Sequence, residues 1–227
     1  MSTSATPGVF TDVTVDPFVR GLLHRPGKGN DNGNGLVLTH GAGGNCNAPL
    51  LVALAETFAQ AGFIVLRCDL PYRQNRPYGP PRPGDAKRDR AGLKNAVHAL
   101  KNLGAARVFL GGHSYGGRQA SMLCAEESGL AAGLLLTSYP LHLPGKTEQL
   151  RTQHLPNLQT PVLFVSGTRD PFGSIAELEQ ALKLIPAKAR LSVVEGAGHD
   201  LGFKGKVTRE ELPGEVLLEF EKFFQQP

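Results

Sequence analysis

The sequence predicts an α/β fold, a mostly parallel central sheet flanked by helices on both faces and topped by a short cap. Three observations carry this. Short apolar runs alternate along the chain with segments of helical spacing, the pattern of strands joined by crossover helices. One run, Val108-Phe109-Leu110, leads into Gly112-His113-Ser114-Tyr115-Gly116, a G-x-S-x-G turn that opens a helix. Another, Leu36-Val37-Leu38-Thr39, runs straight into the glycine-rich His40-Gly41-Ala42-Gly43-Gly44. A chain of 227 residues with a hydrophobic fraction of 41% suits one domain over 1–227 with a sizeable core.

In chain order, residues 9–15 and 18–23 read as an opening strand pair, and 27–35, rich in Gly and Asn, as the turn before the strand at Leu36. Leu50, Leu54 and Phe58 share one side of a helix over 50–60, which Gly62 ends. Residues 63–66 form the next strand. A connection holding five prolines follows over 70–84. Asp85 is placed to cap the next helix, whose Leu93, Val97, Leu100 and Leu103 line one face before Gly104. Beyond Ser114, residues 117–127 read as a helix and 132–136 as a strand. The connection over 138–159 is too short for a multi-helix lid. Residues 162–165 and 191–194 are strands, Ser174-Ile175-Ala176-Glu177 is a capping box, and 213–224 is a closing amphipathic helix.

A serine at a strand-to-helix turn is a candidate nucleophile, and it needs a histidine to take its proton and a carboxylate to orient that histidine. With this turn the acid is expected next in the chain and the histidine last. Asp170 follows the run 162–165 and His199 follows the run 191–194, so both fall at the carboxyl ends of strands, on the edge that carries Ser114. The glycine-rich turn after Leu36–Thr39 supplies one oxyanion donor, the N–H of Ala42, and the N–H of Tyr115 supplies the other. Asp200 adjoins His199, but successive side chains diverge, which makes it a poor orienting group. His40 and His113 are expected to support the two turns, whereas His142 and His154 lie in the cap.

The pieces His40-Gly41-Ala42-Gly43, Gly112-His113-Ser114-Tyr115-Gly116-Gly117 and Gly167-Thr168-Arg169-Asp170-Pro171-Phe172-Gly173 resemble the α/β-hydrolase superfamily. They are most similar to a branch related to dienelactone hydrolases, which includes testis-expressed hydrolase-like proteins and a domain of a chromatin-complex subunit. The resemblance implies the α/β-hydrolase fold and acyl-transfer chemistry. Dienelactone hydrolases proper use a cysteine nucleophile where this chain has Ser114, so their activity does not carry over. A non-catalytic scaffold on the same fold is the rival reading.

The net charge of +4 is concentrated: residues 70–94 carry +5 and the remainder of the chain −1. Arg73 and Arg76, at the start of that stretch, are candidates to clamp an anionic substrate group. With no Trp, and with only Tyr72 and Tyr78 as aromatic residues in this stretch, nucleic-acid binding is not expected. No stretch is apolar enough to suggest a membrane span, and residues 1–8 lack a secretory leader pattern. The three cysteines, Cys46, Cys68 and Cys124, lack metal-ligand spacing and read as reduced thiols of a cytoplasmic protein. No His-x-x-x-His or Cys-x-x-Cys pattern is present, so no metal is expected, and without a dinucleotide or phosphate-loop fingerprint no cofactor is expected either. The expected function is a serine hydrolase, monomeric or homodimeric, acting on a small to medium carboxylic ester or thioester through an acyl-enzyme on Ser114.

Overall fold

A computed structural model describes residues 7–204 and 209–224, so the opening residues read for a leader lie largely outside the described residues. Its strands are β1 (Gly8–Asp12), β2 (Val19–His24), β3 (Asn34–Thr39), β4 (Ile64–Cys68), β5 (Arg107–His113), β6 (Leu134–Thr137), β7 (Val162–Gly167) and β8 (Ala189–Val194). They form one sheet in the order β1-β2-β4-β3-β5-β6-β7-β8. The β1–β2 and β2–β4 pairings are antiparallel and the rest parallel. Helices α1 (Pro49–Gln60), α2 (Pro71–Asn75), α3 (Asp85–Asn102), α4 (Tyr115–Glu126), α5 (Ile175–Leu182) and α6 (Leu212–Phe224) cover it.

Strand residues alternate between the two faces, as a period of two requires. Val37, Leu110, Leu134, Leu136 and Phe164 face the core built with α3, α4 and α5. Their neighbours Leu36, Leu38, Phe109, Leu135 and Leu163 face the core built with α1 and α6. In that second core Phe58, Phe63, Phe109 and Phe220 meet edge to face or tilted, with centroids 4.8 to 6.4 Å apart.

The sheet reverses direction of winding at β3 and β5. From β3 the chain crosses to β4 on one side, and from β5 to β6 on the other. A crevice opens at such a point beyond the carboxyl ends of the strands. The register Thr39↔Gly112 brings the turns after β3 and β5 to the same level within it.

Two local expectations change. The proline-rich connection contains the short helix α2, with Pro71 supplying its first turn. Asp85 is not the cap of α3: Gly84 holds that position at φ 96°, and the Asp85 carboxylate instead accepts from Arg82 N–H and Arg76. Between β6 and β7 the only regular element is a single 3₁₀ turn, Leu155–Asn157, so the cap is short. Among the described residues no helix is long and apolar enough to cross a membrane.

Buried histidines make the fold acid-sensitive. His24 Nε2 accepts from Arg67 Nε at 2.9 Å, a role open only to the neutral ring. Burial holds His24 and His154 down to about 4, from an ordinary value of 6.5, with nearby arginine charge adding to it. An unfolded chain therefore takes up these protons below pH 6.5 while the folded one excludes them until about 4, so acid favours unfolding across that window. The unfolding free energy is expected to fall between about pH 7 and about pH 5, by on the order of 1 kcal/mol per pH unit, and the urea midpoint with it. A flat midpoint over that range contradicts this assignment.

Candidate active site

Ser114 sits between β5 and α4 at φ 52° and ψ −116°, a left-handed conformation that a side chain adopts only under constraint. The constraint is visible around it. A Cβ at Gly112 would stand 2.7 Å from Gly117 N, and one at Gly116 would stand 2.5 Å from His40 O. Only glycine lets β5, the turn after β3 and α4 close this tightly. Ser114 N–H donates to Thr137 O at 2.9 Å, which ties the turn to β6.

Asp170 and His199 arrive from the turns after β7 and β8. His199 Nε2 lies 2.8 Å from Ser114 Oγ, and His199 Nδ1 lies 2.9 and 3.0 Å from the two Asp170 oxygens. The Asp170 side chain is 1% exposed and that of His199 23%, a buried carboxylate behind a partly open imidazole. Phe172 N–H donates to Asp170 Oδ1 at 2.9 Å, and its ring lies over the His199 ring at 4.1 Å. Asp200 accepts from the N–H groups of Gly202 and Lys204, so it closes its own turn and leaves His199 to Asp170.

The orientation of the Ala42 N–H follows from what holds its peptide. The carbonyl of that peptide, Gly41 O, takes His40 Nδ1 at 2.9 Å and the Tyr72 hydroxyl at 3.4 Å. In a trans peptide the N–H points opposite to the C=O, so Ala42 N–H is turned away from Tyr72. Tyr115 is the first residue of α4, where an N–H has no partner inside the helix and the helix end carries positive partial charge. These two donors and Ser114 line a cavity of about 750 Å³ together with His113, Pro140, Phe172 and His199.

His40 is fully buried and accepts Leu70 N–H at Nε2, 3.1 Å away; burial pushes its pKa down, so the ring is neutral. Burial likewise holds His113 at about 3, with the neighbouring His199 charge adding to it. His142 and His154 turn inward, onto Glu177 and Ser121 respectively. The thiols of Cys46 and Cys124 are pushed up to about 11 and 12 by burial, and that of Cys68 also upward, which leaves all three unreactive. Among the described residues no group of three or more His, Cys, Asp or Glu side chains is disposed to hold a metal.

The expectation for Arg73 and Arg76 as substrate clamps does not fit their surroundings. Arg73 is 4% exposed and donates to four main-chain carbonyls: Gly44 and Ala42 of the glycine-rich turn after β3, Arg76 and Gly79. Arg76 pairs with Asp85 at 2.6 Å and donates to Pro80 O. Neither lines the cavity. Arg73 is a strut beneath the glycine-rich turn after β3. Arg73→Met is expected to lower kcat/KM roughly ten- to a hundredfold on neutral and anionic para-nitrophenyl esters alike, because what moves is the oxyanion donor. A loss confined to anionic esters would restore the clamp. Sequence reasoning missed two other cavity-lining arginines, Arg118 and Arg151, which no motif marks.

Residues 32–223 match the family described as alpha/beta hydrolase domain. Among solved structures, Est1E from Butyrivibrio proteoclasticus superposes with a TM-score of 0.74 at 16% identity, covering 98% of this chain and 100% of that one. A dienelactone hydrolase from Anabaena variabilis gives 0.72 at 21% identity, covering 97% and 98%. At these identities the likeness is one of fold. A stretch of 48 residues is 52% identical to the polyketide synthase ThaQ of Burkholderia thailandensis; it makes up 21% of this chain and 2% of that protein.

Proposed function

Because the chain belongs to the alpha/beta hydrolase domain family, we propose that it is a serine hydrolase cleaving small to medium carboxylic esters or thioesters. The observation that carries this reading is the unbroken line of hydrogen bonds from Ser114 Oγ through His199 to Asp170. Ser114 Oγ attacks the substrate carbonyl carbon as its proton passes to His199 Nε2. The carbonyl π electrons move onto oxygen, where Ala42 and Tyr115 N–H groups receive the negative charge. Asp170 holds the imidazolium. Collapse expels the alcohol or thiol, which takes the proton from His199 and leaves an acyl-enzyme. Water, deprotonated by His199, then attacks the acyl carbon, releases the acid and returns the proton to Ser114. Every proton is accounted for by these groups and water, so the scheme calls on no cofactor.

The setting proposed is cytoplasmic, as a monomer or homodimer, and the three buried free thiols are in keeping with it. A fluorophosphonate probe is expected to label the protein at Ser114 and to leave Ser114→Ala unlabelled. Absence of labelling in the unmodified protein would favour the scaffold reading instead.

A further inference from the structure

Resting on that reading, we infer that the substrate carries a second, anionic group, an oxyanion held by Arg118 and Arg151. Both arginines line the cavity that contains Ser114, and Lys204 is a further cation in its wall. Among the described residues no aspartate or glutamate lines it. Neither guanidinium is in an ion pair among the described residues. Arg76 meets Asp85, Arg88 meets Asp16, and Arg90 meets Glu126. Arg73 is also without an acid, but it spends its donors on main-chain carbonyls.

Desolvation sharpens the point. Arg118 Nε is shielded from solvent with no hydrogen-bond acceptor. A charged donor left in that state is costly unless something else supplies the acceptor. Burial lowers the pKa of Arg151, and the charge of Arg118 lowers it further, so the two cations repel each other. Their polar surroundings do not relieve this. His154, which feels the charge of Arg118, is kept neutral by burial, and the Tyr139 hydroxyl, which faces Arg118 and donates to Arg151 O at 2.7 Å, brings no negative charge. An oxyanion between the two forks answers the repulsion and the missing acceptor together.

The pair is also held in place. Arg118 lies one turn beyond Ser114 in α4, its N–H on Ser114 O at 3.0 Å. Ser114 and Arg118 line the same cavity, so an anion held by Arg118 belongs to the same substrate molecule as the reacting carbonyl. Arg151 is fixed at its backbone, N–H to Leu141 O at 2.8 Å and carbonyl from Tyr139. The oxyanion has two chemical sources: a carboxylate on the acyl half, or a phosphate on the leaving thiol.

Two matched comparisons separate those sources. In one, para-nitrophenyl half-esters of glutaric and adipic acid are set against para-nitrophenyl pentanoate and hexanoate. In the other, butanoyl phosphopantetheine is set against butanoyl pantetheine. Preference for the charged member is expected in one comparison, and Arg118→Gln or Arg151→Gln is expected to reduce that ratio of kcat/KM about ten- to a hundredfold. Arg151→Glu is expected to invert it. Hydrolysis of the neutral members with no preference in either comparison overturns the anion site while leaving the serine mechanism standing. Should no ester or thioester be cleaved, the site is still read by calorimetry. Binding of glutarate or inorganic phosphate that weakens about tenfold or more in Arg118→Gln supports it, and binding indifferent to both arginines overturns it.

Discussion

Ser114→Ala is expected to lower kcat on any ester the protein turns over by about four to six powers of ten. The substitution removes the atom that makes the bond and leaves its surroundings in place. Ser114 is held in its strained conformation by Gly112, Gly116 and the tie to Thr137, none of which involve the hydroxyl. The variant should therefore keep its thermal midpoint, or raise it slightly where the hydroxyl was poorly accommodated. Residual turnover above background measures what the Ala42 and Tyr115 N–H groups contribute to a direct attack by water. His199→Ala should lose about as much, and combining the two should lose little more, because they act as a unit. Rates in the double variant that fall by the product of the two single losses would mean that each residue works independently. That outcome is incompatible with a hydroxyl 2.8 Å from the imidazole acting through it.

Asp170→Asn is expected to lower kcat by about four powers of ten while leaving KM and the fold nearly intact. As a carboxylate, Asp170 accepts from His199 Nδ1–H and so leaves Nε2 bare to receive the serine proton. An amide in the same place can turn its NH₂ toward Nδ1, which moves the ring proton to Nε2 and blocks the transfer. The Phe172 N–H still finds the amide oxygen, so the turn should survive. Protein-fold integrity is read by thermal denaturation and the catalytic loss by steady-state kinetics on one neutral ester. A loss below about tenfold would show that another group orients His199. Asp200 is not placed to do so, since its oxygens serve Gly202 and Lys204.

The parts of the site that were legible in the sequence are those whose geometry is local. The turn at Ser114 announces itself through glycines two residues either side. Asp170 and His199 follow because short apolar runs ahead of them fix which end of the sheet they occupy. The capping box at Ser174 was equally readable, both of its hydrogen bonds lying within four residues. What stayed hidden depends on contacts between distant segments. Arg73 read as a candidate substrate clamp because donation to main-chain carbonyls leaves no pattern in the residues donated to. Asp85 resembled a cap because the arginine that claims it, Arg76, sits across a proline-rich bend. Arg118 and Arg151 come from a helix face and an irregular stretch, and only the folded chain places them on one cavity.

The irregular connection between β6 and β7 divides labour in the molecule. Ala42, Ser114, Asp170 and His199 hang from the ends of β3, β5, β7 and β8, where neighbouring strands lock them to one another. Arg151 hangs from a loop anchored chiefly by Tyr139 and Leu141. On the function proposed above, grafting a different sequence between those anchors is expected to change which substrates are accepted while Ser114, Asp170 and His199 stay in place. A fold arranged in this way can diversify its diet one loop at a time.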